Sequence, residues 1–164
     1  MSDPTQCAAA AEAIRARRFA GWPGLPPRCT PEDLFGVALD DRWGVQRLGA
    51  RFESARSRLL DLDGYYRPML FVRDGAVMLF DAMTPALDGG WPPLAADLGA
   101  PEAAFDWIFG TVPMPGGERV HASRGITVFL NPANDVAVYV TLYAPMSVDE
   151  YVARLRPSRE KPPG

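Results

Sequence analysis

Residues 57–85 read SRLLDLDGYYRPMLFVRDGAVMLFDAMTP, and residues 118–145 read ERVHASRGITVFLNPANDVAVYVTLYAP. Each stretch gives a short strand, a turn, a second strand, a turn, a longer third strand and a closing proline. In the first, Asp74-Gly75 sits between two apolar runs, a dipeptide that favours the left-handed conformations of a two-residue hairpin turn. Asp63-Gly64 marks the turn before it. Residues 76–82 are apolar on both faces, as expected of a central strand covered on both sides. In the second, residues 131–135 (NPAND) are rich in turn formers. In its last strand Val136, Val138, Val140 and Leu142 alternate with Ala137, Tyr139, Thr141 and Tyr143, the first set reading as core and the second as a half-exposed face.

Upstream of each stretch lies a proline-started apolar segment. Thr30-Pro31-Glu32-Asp33 has a cap, a proline at the first helical position and an acid three residues on. Residues 101–109 (PEAAFDWIF) place Phe105, Ile108 and Phe109 at helical spacing, so the pattern predicts a second helix, with Trp107 pointing away from that stripe. Two further helices are predicted at the ends. One starts at Asp3-Pro4 and runs through an alanine- and arginine-rich stretch whose packing stripe, Ile14 and Phe19, is thin enough for a loosely docked arm. The other is opened by Ser147 and Glu150 and stopped by Pro157. The expected fold is α+β, two tandem units of one helix plus a three-stranded antiparallel meander, with the helices on one side of the sheet or sheets. The segments are 1–29 (helix and proline-rich linker), 30–85 (first unit), 86–99 (linker), 100–157 (second unit and final helix) and 158–164 (a disordered tail). Whether the meanders share one sheet is left open, as is the state of residues 42–52. Residues 111–117, rich in proline and glycine, read as a loop.

The bulk properties narrow the function classes. At 164 residues, 48% hydrophobic and 23% charged, the chain is long enough to bury about 70% of its unfolded surface without staples. A net charge of −3 argues against a dedicated nucleic-acid binder, which would carry a basic face. No apolar run approaches the ~20 residues of a membrane span, and the start lacks the pattern of a signal peptide, so the expected location is cytoplasmic with no membrane partner. Two cysteines, Cys7 and Cys29, make no framework. They are read as free thiols in a reducing compartment, a disulfide between them being the other option.

No catalytic motif is present, neither a phosphate-binding glycine loop nor a nucleophile elbow. One histidine, His121, cannot make a histidine-rich metal site, and no metal or cofactor is expected. His121 reads first as a partly exposed strand residue. Arg47, Arg51, Arg56 and Arg58 form the one local basic concentration, either a solvated strand edge or a strip for an acidic peptide or small anion. Aromatic residues carry the stronger signal, because tyrosine and tryptophan bury large areas at low entropic cost. Tyr65, Tyr66, Trp91, Trp107, Tyr139 and Tyr143 fall in turns, linkers or the second face of the last strand. The candidate binding set is Tyr66, Trp91, Trp107, Arg119, His121, Arg124, Tyr139 and Tyr143, with Glu118 as a further polar group.

Leu98-Gly99-Ala100-Pro101 before an aromatic segment and a strand meander, together with the order of elements over residues 30–145, resembles the beta-lactamase inhibitor protein architecture and the related single unit of the SmpA/OmlA-type outer-membrane assembly lipoproteins. The resemblance implies a non-catalytic binder of another polypeptide. It transfers no functional residue, because neither cysteine lies within a meander as in the inhibitor. The expected function is therefore a peptide- or protein-binding accessory module with an aromatic groove on or between the units. Its partner would be a peptide or protein segment, such as the product of a neighbouring gene, or a second copy in a homodimer. The alternative is a small cofactor-free enzyme of isomerase or cyclase type with His121, Asp81 or Asp106 as acid or base.

Overall fold

A computed structural model describes residues 3–83 and 85–156. Thr84, Pro157 and the predicted tail 158–164 lie outside the described residues. The elements run α1 (Pro4–Ala16), α2 (Pro31–Phe35), β1 (Gly44–Leu48), β2 (Glu53–Leu59), β3 (Tyr66–Arg73), β4 (Ala76–Met83), α3 (Trp91–Leu98), β5 (Ala103–Phe109), β6 (Val112–His121), a 3₁₀ turn (Ala122–Arg124), β7 (Ile126–Asn131), β8 (Val136–Leu142) and α4 (Val148–Arg154). All eight strands form one antiparallel sheet in the order β1-β2-β3-β4-β8-β7-β6-β5. The fold is α+β, as expected. Each half is a four-stranded meander led by a short helix, and the last strands of the two halves, β4 and β8, meet at the centre. Asp74 and Gly75 take the positive φ values, 53° and 79°, that their hairpin requires.

The elements differ from the sequence reading in both halves. The three-stranded units are four-stranded, because β1 and β5 add an edge strand to each meander. Residues 103–109 are strand β5 and not a helix: Ala104, Asp106 and Ile108 are exposed while Trp107 between them is buried, an alternation of period two. Residues 112–117 belong to strand β6 and not to a loop. Its pairing with β7 spans only Glu118–His121, so Pro113 and Pro115 sit where β6 has β5 as its one neighbour, and their missing N–H groups cost no ladder bond. The helix ahead of the second meander is α3, within the expected linker. Pro92 and Pro93 fall in its first turn, where an N–H has no intrahelical acceptor.

Helices lie on both faces, not one. Leu70 and Phe80 pack with Ile14 of α1, Leu34 of α2 and Leu94 of α3. Their neighbours Phe71 and Leu79, which point the other way along the same strands, pack with Tyr151 of α4 and Leu155. Nor is α1 a loose arm. Cys7, Ala10, Ala11 and Ile14 are buried, small residues letting the helix approach closely. The linker wraps the surface, with Trp22 and Leu25 buried, the Trp22 indole N–H donating to the Gly125 carbonyl at 3.2 Å and the Leu25 N–H to the Tyr143 carbonyl at 2.9 Å.

Cys7 and Cys29 form a disulfide, in place of the two free thiols expected. It ties α1 to the linker just ahead of α2, and the Cys29 carbonyl accepts from Val77 on β4 at 2.7 Å. Closing a loop of this size restricts the unfolded chain and stabilises the fold by about 3 kcal/mol. Denaturant titration with and without reductant should show a loss of about that size, and a Cys7→Ala variant should be insensitive to reductant. An unchanged midpoint on reduction would contradict the tie.

Candidate functional site

The face of the sheet that carries α4 holds the chemistry. Directly paired residues in an antiparallel sheet project to the same side, and one such row crosses six strands: Tyr66 on β3, Met83 on β4, Tyr139 on β8, Phe129 on β7, Glu118 on β6 and Phe105 on β5. The row passes over the β4–β8 seam. It begins exposed at Tyr66, becomes half-buried at Met83 and Tyr139, and is fully buried at Phe129 and Glu118.

Beside the row stands a cluster of four rings. Trp107 meets Phe129 at 5.3 Å, Phe109 at 5.9 Å and Tyr139 at 6.0 Å between centroids, all near perpendicular. Edge-to-face contacts of this kind add about 0.5–1.5 kcal/mol each to simple burial. Trp107 is fixed further by its indole N–H, which donates to the Leu130 carbonyl at 3.2 Å. That approach requires Gly117. A Cβ there would stand 2.3 Å from the Trp107 indole nitrogen and 2.4 Å from the Leu130 oxygen. Gly117, read from sequence as part of a loop, is thus the notch into which Trp107 fits. Around this floor Phe109 (38% exposed), Val112 (52%) and Val136 (53%) present apolar surface to solvent, and Ile108 (58%), which follows Trp107, does so on the other side of the hairpin. Ile108, Phe109 and Val112 form the tip of the β5–β6 hairpin, where Phe109 pairs with Val112 around Gly110.

At the other end of the row Glu118 is buried and fully engaged. Its carboxylate accepts from the Tyr151 hydroxyl at 2.9 Å and from the Arg156 Nε at 3.0 Å. The Arg156 guanidinium also lies over the Phe105 ring, 4.4 Å from its centroid. Tyr151 in turn packs on Tyr143, whose hydroxyl shares a 2.8 Å hydrogen bond with Thr127. Burial raises both tyrosine hydroxyls above their ordinary pKa, so both remain neutral hydroxyls.

The sequence candidates separate. Tyr66, Trp107 and Tyr139 come together on this face. Trp91, on α3, packs on the opposite face with Leu94. Arg119 follows Glu118 on β6 and so projects to that opposite face too. Tyr143, expected to be half-exposed, is buried. Arg124 is occupied at 2.7 Å with the Trp22 carbonyl and 2.9 Å with Asp97. Nor do the enzyme candidates converge. Asp106 accepts from the Gly116 N–H at 2.7 Å and so braces the β5 bulge. Asp81 accepts from Thr141 at 3.3 Å in the middle of the sheet. His121, expected to be partly exposed, is buried at the end of β6. The basic strip divides as well: Arg51 lies in the β1–β2 turn against α4, while Arg56 donates to the Asp40 carbonyl. Among the described residues no three His, Cys, Asp or Glu side chains gather as a metal site would require, and no helix is long and apolar enough to cross a membrane. No family model, curated protein or solved structure matches this chain.

What sequence reasoning missed was the exposed tip, because residues 108–112 were divided between a helix and a loop. The aromatic residues Phe105, Trp107 and Phe109 at every second position were the available signal.

Burial lowers the pKa of His121 below the usual 6.5, with Arg124 and Arg119 acting in the same direction and Glu102 against it. The folded state therefore favours the neutral imidazole. Its contribution to stability is complete above pH 6.5 and is lost as pH falls from there towards the folded-state pKa. Urea titrations between pH 7.5 and 5 should show a shallower acid loss for His121→Gln than for wild type; equal slopes would contradict the assignment.

Proposed function

We propose that this protein is a non-catalytic binding module that grips a peptide or protein segment at the aromatic end of its sheet. The observation that carries the reading is the contrast between an anchored floor, Trp107, Phe129 and Tyr139, and the exposed apolar rim of Phe109, Val112 and Val136. Hot spots in protein interfaces have this construction: anchored aromatic groups that lose little entropy on binding, surrounded by apolar surface that excludes water. In this reading the two helix-led meanders are tandem units, and the open part of the row, from Tyr66 through Met83 to Tyr139, is the track that leads an extended segment to the aromatic cluster. The edge strand β5 adds main-chain groups to which such a segment can pair. The resemblance to the beta-lactamase inhibitor protein architecture leads to the same class of activity. Against an acid–base role, His121, Asp81 and Asp106 occupy separate places, and two of the three carboxylate and imidazole groups hold hydrogen bonds that shape the sheet.

The experiment is a titration with peptides from the products of neighbouring genes, followed by tryptophan fluorescence. Saturable binding is expected, weakened about a hundredfold or more by Phe109→Asp, the loss typical of a hot-spot residue. Far-ultraviolet circular dichroism should be unchanged in that variant, since the side chain is at the surface. Turnover of a small molecule without saturable binding of any such peptide would contradict the reading.

A further inference from the structure

On the opposite face, away from the aromatic end, a second cleft is built from three elements that the binding track does not use. It measures about 450 Å³ and lies between α1, α2 and the end of β2. Its apolar lining includes Phe35, Val37, Leu59 and Leu62, and two arginines, Arg15 and Arg58, border it. Arg15 is held by its guanidinium lying over the Phe35 ring, 5.4 Å from the centroid. Arg58 is held by the sheet: it pairs with Leu70 on β3 and lies one residue past the last β1 pair, Gly44 with Ser57. Among the described residues neither guanidinium forms an ion pair or hydrogen bond. That distinguishes them from Arg18, Arg42, Arg73, Arg124 and Arg156, each of which is paired with a carboxylate.

We infer that this cleft binds a small molecule with an apolar body and a single carboxylate, the body against Phe35, Leu59 and Leu62 and the carboxylate between Arg15 and Arg58. The volume suits a small ligand, since such sites span roughly 300–1,000 Å³ and are mostly apolar with a few placed polar groups. A guanidinium presents paired N–H donors that match a carboxylate's two oxygens. The sign of the remaining charge sets the class. Asp61 also borders the cleft, and its carboxylate repels a second negative charge, so a monoanion is preferred to a phosphate dianion. Asp40, the other acid that feels Arg58, is already held by Arg42 at 2.7 Å. The site is separate from the peptide track, because Arg15, Phe35 and Arg58, which pairs with Leu70, lie on the other face of the sheet and Leu59 is not in the track's row.

The test uses the full chain with octanoate as the probe, followed by calorimetry and by amide chemical shifts. Octanoate should bind saturably at one site, with the largest shifts at Phe35, Leu59 and Leu62. Octanol, which has the same chain without the charge, should bind about tenfold more weakly or less, the difference expected of a charge-assisted contact. Inorganic phosphate should not displace octanoate. Arg15→Gln and Arg58→Gln should each weaken octanoate about tenfold with an unchanged urea midpoint, and Phe109→Asp should leave it unaffected. The inference is overturned by the absence of saturable binding, by octanol binding as tightly as octanoate, by displacement with phosphate, by arginine variants that bind normally, or by shifts that map to another face.

Discussion

The carboxylate of Glu118 is taken wholly out of water and held there by one hydroxyl and one guanidinium, and the shape of the sheet depends on that clasp. Arg156, two residues beyond α4, touches both extremes of an eight-stranded sheet. Its guanidinium reaches Glu118 on β6 and the Phe105 ring on β5, and its carbonyl accepts from Gly49 in the β1–β2 turn at 3.1 Å. The ends of the sheet meet at this residue only because the sheet curls around α4. Two more bonds complete the contact, Ala50 to the Val152 carbonyl at 2.9 Å and Arg51 to Ala153 at 3.2 Å. The C-terminal carbonyls of a helix have no partners of their own, and here a turn 100 residues away in sequence supplies them. Gly49 makes the approach feasible: its φ is +72°, and a Cβ would lie 2.3 Å from the Ala153 oxygen. Removing one partner of such a buried pair typically costs about 3–5 kcal/mol, the lower end applying where, as at Arg156, one member is partly exposed.

With α4 bound at one end of the curled face, the other end is left to the aromatic cluster. The β5–β6 hairpin is fixed from both directions. Arg156 holds Phe105 over Glu118, and the Gly117 notch holds Trp107 against Leu130. Between these points Asp106 braces the bulge through Gly116. A hairpin supported in this way can carry exposed Ile108, Phe109 and Val112 without collapsing onto the sheet, which is the requirement for a preorganised binding tip. The opposite face is organised differently: the disulfide, the alanine-lined approach of α1 and the cap of Thr30 on Asp33 build a wall of short elements, and Arg15 and Arg58 border a cleft between that wall and the end of β2.

Much of the frame was legible from local chemistry. Asp74-Gly75 demanded a hairpin, Thr30-Pro31 and Ser147 demanded helix starts, and the doubly apolar residues 76–82 demanded a central strand; all are present. What failed was local chemistry that two structures share. PEAAFDWIF satisfies helical spacing and strand alternation alike, and only pairing with β6 decides between them. WPPLAADL looks like a linker until its prolines are placed in a first turn. Of the site, Tyr66, Trp107 and Tyr139 were visible as aromatic residues, but their convergence depends on the β4–β8 register, which joins residues some sixty positions apart and leaves no trace in periodicity. Glu118 illustrates the same limit. On a strand flanked by arginine it read as a polar group of the groove, whereas it is the buried anchor of a helix that follows it by thirty residues.

The measurement that bears most directly on this account is amide hydrogen exchange in an Arg156→Ala variant. That substitution deletes the guanidinium and leaves the backbone carbonyl that receives Gly49. If the clasp holds the two ends of the sheet together, the amides of Gly49, Ala50 and Arg51 and those of β5 around Phe105 and Trp107 lose protection in concert, while Leu70 and Leu79 in the central strands keep theirs. Loss confined to β5 and β6, with the Gly49–Arg51 turn as protected as in the wild type, would show that the sheet holds its curvature without Glu118 and Arg156 and would contradict the account.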